Sequence, residues 1–384
     1  MAEPPLDSLL RLASRLVATP SCAGIDPPDA VLALIGRWFA EAGLECRLLT
    51  DAEGKPVATM VEIVGRASGP LLCLDACIDT APAGDPATWS TSPFSGEISG
   101  NRLRGRGAAD SKAGVAILAH VARDLAAEGL PRGTLHVLFD ADEHTGRFGG
   151  ARAYLAAVAR RPDGATLGYP GNELIVAGGR GFLRSRVHFG GRAAHSGAIG
   201  DRGVNAIGRA AAFVLAVEQQ GFSVAHDAAF PFGPAATVTR IAGGEGFSVV
   251  PDRATCEVDM RLTRSFDGAQ ARDWLGGIAR EADPGCRIEE IDHWPAYVTE
   301  VQSPLVAAFA TAAQRAFGRA LPAEVSPLSN IGNLLAAEGV PTICAPGVGH
   351  ANIHAADESA EVDTFLPVYR MYREAALKFL SENP

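Results

Sequence analysis

The sequence predicts an α/β protein: a mostly parallel sheet carrying helices on both faces, interrupted by an inserted α+β sandwich. Three observations predict it. Strand-like and helix-like stretches alternate from about residue 45 to residue 158, as consecutive strand–helix units of a parallel sheet do. Two of the strand-like runs, Leu71–Ile78 and Thr134–Phe139, are almost wholly apolar, which fits strands buried on both faces. Near residue 178 the pattern switches to half-exposed alternating strands, two for each helix, and from Ser303 the α/β pattern returns. The chain has 384 residues, too many for one ordinary domain, so two are expected. The expected division is residues 1–178 with 293–384 for the larger domain and 179–292 for the insertion.

Taken in order, Leu6–Val17 and Ala30–Ala42 carry apolar residues at helical spacing. A loop from Thr19 to Pro28 separates them. Strands are expected at Glu45–Leu49, Ala58–Val64 and Leu71–Ile78, the last ending in CIDTAP. A polar loop through Trp89, Pro93 and Phe94 leads to a helix over Ala113–Leu125. The strand Thr134–Phe139 runs into DADEHTGRFGG, and a helix follows over Ala151–Val158. AGGRG, Ala177–Gly181, reads as a linker. Beyond it, strands are expected at Phe182–Phe189, Ala235–Ile241 and Ala254–Leu262, with helices at Asn205–Gln219 and Asp267–Glu281. Helices from Ser303 to Phe317, near Asn330–Glu338 and over Thr364–Leu380, with a strand at Pro341–Cys344, close the chain.

Composition excludes several classes. The net charge of −10 argues against nucleic acid and anionic membranes as partners. No run reaches the ~18 apolar residues of a membrane span. The opening MAEPPLDSLL has no signal-peptide pattern. Seven scattered cysteines do not form a disulfide framework. These readings together predict a cytoplasmic protein with reduced thiols.

The stretch RGRGAADSKAGV, Arg104–Val115, joins close-approaching glycines to a carboxylate at a helix mouth. Taken alone, Asp110 reads as an N-cap or as a bridging metal ligand. Open α/β sheets gather ligands beyond the C-terminal ends of their strands. Asp79, Asp110 and Glu143 all fall at or just past such ends.

Four separated segments, CIDT (Cys77–Thr80), GRGAADSKAG (Gly105–Gly114), DEHTG (Asp142–Gly146) and HAADE (His354–Glu358), make one case together. With Pro93–Phe94, AAHSG (Ala193–Gly197), DMR (Asp259–Arg261) and GVPT (Gly339–Thr342), they resemble the acetylornithine deacetylase, succinyl-diaminopimelate desuccinylase and carboxypeptidase G group of zinc metallopeptidases. The resemblance covers nearly the whole chain. It implies two zinc ions on five protein ligands, and this sequence departs from that set. The first His position holds Cys77, two residues before Asp79, which the resemblance makes the residue that orients the ligand. The bridging position keeps Asp110. In the acidic pair, the base position keeps Glu143 and the ligand position holds His144. The acidic ligand before a Pro is replaced by Tyr169, in GYPG, and the final His is His354.

Cysteine and histidine bind zinc well. Tyrosine must lose a proton of pKa about 10. Asp110, His144 and His354 therefore form the expected site, with Cys77 as a further candidate ligand. Two imidazoles and a carboxylate suit catalytic zinc and equally a non-haem iron arrangement. The cofactor expected is a divalent metal, zinc first, with manganese, cobalt or iron as alternatives, at one or two ions per chain. His195 matches the second-domain His that, by resemblance, reaches a partner subunit's active site and stabilises the oxyanion. Arg261 is a candidate for binding a substrate carboxylate, and Ser248 stands where the resemblance has an Asn. His120 reads as a core histidine. His350 lies four residues before His354 in a segment whose glycines indicate a loop.

The implied function is hydrolysis of a small amide, an N-acyl amino acid or a dipeptide-like molecule, by a metal-activated water with Glu143 as general base. Two alternatives stand beside it. One is a remodelled relative with one metal, a non-amide substrate or Cys77 as nucleophile. The other is an inactive relative that binds a small molecule. A homodimer through residues 179–292 is expected, since Asn205–Gln219 and Ala235–Ile241 offer a long helix beside an open sheet edge.

Overall fold

The computed structural model describes residues 4–382. Met1–Glu3, the first residues of the N-terminal segment read above, lie outside it. Among the described residues the chain divides into two compact units. The first comprises residues 4–178, Thr299–Glu324 and residues 330–382; the second comprises Gly179–Val298 and Val325–Ser329.

In the first unit, α1 (Leu6–Val17) and α2 (Asp29–Glu41) precede β1 (Arg47–Thr50), β2 (Pro56–Val64) and β3 (Leu71–Cys77). Two short strands follow, β4 (Ile98–Ser99) and β5 (Arg102–Arg104). Then come α3 (Ala113–Glu128), β6 (Thr134–Asp140), α4 (Gly149–Ala157), β7 (Gly164–Leu167) and β8 (Ile175–Gly179). The principal sheet runs β1-β2-β6-β3-β7 and continues through β15 (Thr342–Cys344) to β8. Pairs β3/β6, β3/β7 and β7/β15 are parallel, while β1/β2, β2/β6 and β8/β15 are antiparallel. The expected mostly parallel sheet is therefore its centre, and the antiparallel pairs form its flanks.

Burial explains why the central strands were readable. All seven residues of β3 are buried. Leu72, Leu74 and Ala76 join Leu135, Val137 and Phe139 of β6 in one core with α1, α2 and α3. On the other face, α4 sends Tyr154 onto His136 at 2.8 Å. The same core takes in α7 (Pro304–Phe317) and α9 (Phe365–Glu382).

The second unit is a four-stranded antiparallel sheet ordered β10-β11-β9-β12, with α5 (Ala206–Gln219) and α6 (Gly268–Ala282) packed into its core. Its strands are β9 (Gly181–Gly190), β10 (Ala235–Gly243), β11 (Arg253–Leu262) and β12 (Arg287–Trp294). β10 is an edge strand, and β13 (Tyr297–Val298) follows β12. Along β11 buried and half-buried residues alternate, the pattern of one wet and one dry face.

The linker reading of Ala177–Gly181 fails. β8 ends at Gly179 and β9 begins at Gly181. Glycine argues against a strand from composition, but a Cβ at Gly181 would collide with the main chain of Trp294. Glycine serves close approach there. The remaining elements are β14 (Ala323–Ser326), α8 (Gly332–Ala337), β16 (His350–Ala351) and β17 (Ser359–Glu361). Among the described residues no helix is long and apolar enough to cross a membrane.

Candidate functional site

Three adjacent parallel strands, β6, β3 and β7, end side by side and deliver most of the site. Cys77 closes β3, and Asp79 lies two residues beyond. Glu143 and His144 follow β6, and Tyr169 follows β7. Asp110 comes from the segment before α3, and His354 from the turn between β16 and β17. The first unit thus brings together Cys77, Asp79, Asp110, Glu143, His144, Tyr169 and His354.

The N-cap reading of Asp110 fails. α3 begins at Ala113, and Lys112 stands at its cap without a side-chain cap hydrogen bond. Asp110 is non-helical, at φ −114° and ψ 88°. Its carboxylate turns toward the imidazoles. His354 Nε2 lies 3.1 Å from Asp110 Oδ2, and His144 Nε2 lies 3.7 Å from the same oxygen. The other oxygen, Oδ1, accepts from Ser111 Oγ at 2.8 Å. Burial pushes the Asp110 carboxyl up, but the imidazoles of His144 and His354 beside it bring it well below the usual carboxylate range. Burial disfavours a charged His144, yet Asp110 and Asp79 raise its pKa well above the ordinary value.

A solvated His144 is also excluded, because only 7% of its side chain is exposed. Neither ring nitrogen makes a well-formed hydrogen bond, although Asp79 Oδ2 lies 3.4 Å and Glu143 Oε2 3.2 Å from Nδ1. The His144 main-chain N–H donates to Asp79 Oδ2 at 2.9 Å. Zinc held at about 2.0–2.2 Å sets its tetrahedral ligands about 3.3 Å apart. Ligand atoms from Asp110, His144 and His354 lie within 4.8 Å of one another, and so do those of Cys77, Glu143 and His144. The first group fits a divalent ion: one anionic oxygen and two imidazoles, with His144 buried and its nitrogens free of good hydrogen bonds. His354 is 55% exposed on its side chain, which leaves that group open on one side. Its backbone takes φ 61°, flanked by Asn352 at 57° and Asp357 at 59°. Such conformations are uncommon outside glycine and gather at functional loops.

Glu143 is the base candidate. Burial pushes its carboxyl up to about 7. Tyr169 Oη donates to its Oε1 at 2.8 Å. Gly347 is required beside the Tyr169 main chain, since a Cβ there would collide with the carbonyl oxygen of Tyr169. Cys77 reads as a protonated thiol. It donates to Ser111 Oγ at 3.3 Å and lies 3.9 Å from Asp110 Oδ1. Burial, then Asp110, Glu143 and Asp79, push its pKa well up. A nucleophilic cysteine needs the opposite shift.

Sequence reasoning missed Glu358, although it closes the quoted HAADE segment. Glu358 is fully buried. Its Oε1 accepts the N–H groups of Ala109 and Asp110, both at 3.1 Å, and its Oε2 takes the Arg106 guanidinium. One carboxylate thereby ties the Asp110 segment to the His354 turn. Nothing in the local sequence marks it, because its partners lie about 250 positions away.

Three remaining candidates belong to the second unit. His195 is exposed and bridges to Val249. Ser248 is exposed, and its carbonyl accepts from Ser196 N at 2.9 Å. Arg261 is half-buried and paired to Asp259 at 2.7 Å. His120 is buried in α3, where Ala116 O and Ser8 Oγ take both ring nitrogens. His350 is exposed on β16.

The sequence pattern of peptidase family M20/M25/M40 matches residues 73–378. The succinyl-diaminopimelate desuccinylase of Gluconacetobacter diazotrophicus is 28% identical over 378 residues, 94% of each chain. The acetylornithine deacetylase of Photorhabdus laumondii is 29% identical over 315 residues, 79% of this chain and 77% of that one. Among solved structures, an M20 family metallo-carboxypeptidase from Sulfolobus solfataricus superposes with a TM-score of 0.78 at 18% identity, covering 97% of this chain and 99% of the other. A dinuclear metal binding peptidase of the M20 family from Bacillus subtilis superposes with a TM-score of 0.72 at 18% identity, covering 98% of both. At these identities the two structures establish the fold.

Proposed function

This chain belongs to peptidase family M20/M25/M40, a family of amide- and peptide-bond hydrolases, and from that premise we propose that it cleaves a small N-acyl amino acid or dipeptide-like amide with one divalent metal ion. The observation that carries the reading is the convergence of Asp110, His144 and His354, with Glu143 beside them. These three would hold the ion, zinc first. When bound, a divalent ion supplies Lewis-acid polarisation and acidifies water. Glu143 takes the proton of the attacking water and passes it to the leaving amine. Asp79 fixes the orientation of His144. His195, donated by a partner chain, stabilises the developing oxyanion. Arg261 meets a substrate carboxylate, and Ser248 lines the same substrate. The names of the two relatives support acylated amino acids as the substrate class.

The Cys77-nucleophile alternative loses its support in a thiol whose pKa is raised. We place the enzyme in the cytoplasm, as a homodimer built through the second unit. The edge strand β10 supports the dimer, with Ile241 and Leu215 about half exposed on β10 and α5. A monomer by light scattering at micromolar concentration, with activity intact, ends the dimer proposal.

The function is tested on a panel of N-acetyl and N-succinyl amino acids and dipeptides, with metal-stripped and zinc-reconstituted protein. Zinc-dependent release of free amine from any member is expected. No turnover together with no bound metal leaves only an inactive binding protein.

A further inference from the structure

α4 is nine residues long and ends at Ala157. Where it stops, the sheet face beneath it is left open, and a cavity of about 380 Å³ lies over β1, β2, β6 and the start of β3. That volume falls among those of small-molecule pockets. Leu71 and Thr134, the first residues of β3 and β6, line it. The candidate metal ligands lie past the opposite ends of those strands, about 20 Å away at ~3.3 Å per strand residue. Met60, Leu71 and Val158 give the cavity an apolar floor, and Arg47, Glu62 and Arg160 bring charge to it.

These charges are not equally available. The Arg160 guanidinium already donates to Asp163 Oδ2 at 2.8 Å and to Gly69 O at 3.0 Å. Arg47 is exposed and, among the described residues, enters no ion pair, not even with Glu62 of the same wall. Arg47 stands opposite Met60 across β1 and β2, which sets Glu62 two positions further along the same face. Glu62 is 54% exposed on its side chain and lies 2.8 Å from His136 Nε2. Burial lowers the His136 pKa, so the ring is neutral at neutral pH. A carboxylate only accepts, so Nε2 carries the ring proton and Nδ1 accepts from Tyr154 Oη at 2.8 Å. A neutral donor leaves the Glu62 charge uncompensated. The cavity therefore offers one free cation and one free anion above an apolar floor, too far apart to pair with each other.

We propose that this cavity is a second binding site, for a free amino acid with an apolar side chain. Arg47 takes its carboxylate, Glu62 takes its ammonium, and Met60, Leu71 and Val158 take the side chain. The N-acyl compounds proposed above as substrates have no ammonium and leave Glu62 unpaired, so the site distinguishes a released amino acid from its precursor. That distinction rests on the hydrolysis reading; the site itself does not.

The test uses the four methionines of the chain. Of Met60, Met260 and Met371, only Met60 lines the cavity. Full-length protein carrying methyl-labelled methionine, in zinc-containing buffer, is titrated with L-leucine and read by NMR. The signal lost in Met60→Leu identifies Met60. Leucine is expected to shift that signal saturably, with affinity about tenfold or more weaker in Arg47→Gln and in Glu62→Gln. Isocaproate, which lacks the ammonium, and isoamylamine, which lacks the carboxylate, are expected to bind as weakly. A Met60 signal that millimolar leucine does not move overturns the proposal. So does a shift of unchanged affinity in both variants, or one that isocaproate reproduces at the affinity of leucine. Should Glu62→Gln disturb His136, Arg47→Gln, on the edge strand, decides alone. A protein that binds leucine here but hydrolyses no member of the panel keeps this site and loses the function proposed above. One that hydrolyses the panel with Met60 unmoved keeps that function and loses this site.

Discussion

Asp79 and His144 are coupled twice: Asp79 Oδ2 accepts the His144 main-chain N–H at 2.9 Å and lies 3.4 Å from its ring Nδ1. The family resemblance implies that Asp79 orients a ligand at position 77, where a cysteine stands. In the structure its partner is the imidazole at position 144. An anion behind a ligating histidine fixes the ring and strengthens it as a donor to metal. Asp79→Asn keeps the shape and one acceptor but removes the charge. Zinc affinity, measured by competition with a chelating dye, is expected to fall about 10–100-fold while the protein stays folded. Unchanged affinity would mean that Asp79 only caps its loop.

Glu143→Gln separates binding from chemistry. Glutamine preserves the hydrogen bond from Tyr169 but cannot take up a proton. Turnover is expected to fall by about 10²–10⁴ with the metal content unchanged. A loss under about tenfold removes Glu143 from the role of general base.

How much of this was legible follows from where the information lies. β3 and β6 were readable because strands buried on both faces spell continuous apolar runs. β12, RIEEIDHW, was not. Its Glu289 lies 3.0 Å from His188 and 3.9 Å from Arg186 on the neighbouring strand, and its Glu290 pairs with Arg272 of α6 at 2.7 Å, and that pairing is invisible along the chain. β7 was missed because four residues, GATL, are too short to show a period. The residues of the candidate site were legible as segments at strand ends. Their partners were not: Tyr169 with Glu143, Asp79 with His144 and Glu358 with Asp110 are joined by the fold, at separations no local pattern encodes.

Glu358 gives a stability prediction with a named cause. It is fully buried, and Arg106 beside it is 1% exposed. Removing one partner of a buried pair leaves the other charge without compensation, at a cost of about 3–5 kcal/mol. Glu358→Gln is expected to lose that much in denaturant unfolding and to weaken zinc binding, because the Ala109 and Asp110 amides lose their anionic acceptor. A loss below about 1 kcal/mol, the range of an exposed pair, would contradict the role given to Glu358.

The assignment of the metal itself is decided by a pair of substitutions. His144 contributes to both candidate groups, whereas Cys77 contributes only to the one that contains Glu143. Asp110 brings the anionic charge, already held well below the usual carboxylate range by the two imidazoles despite its burial. A carboxylate that remains ionised and two imidazoles leave a bound dication net positive, as polarising an amide requires. His144→Ala removes one of three ligands from a site with no spare, so metal and hydrolysis are both expected to disappear. Cys77→Ser exchanges a thiol for a hydroxyl that can still donate to Ser111, so one metal per chain is expected to remain. Elemental analysis of both variants after dialysis against zinc reads the result directly. If Cys77→Ser strips the protein of metal while His144→Ala retains it, the ion belongs to the thiol side of the site, and the ligand set of Asp110, His144 and His354 is wrong.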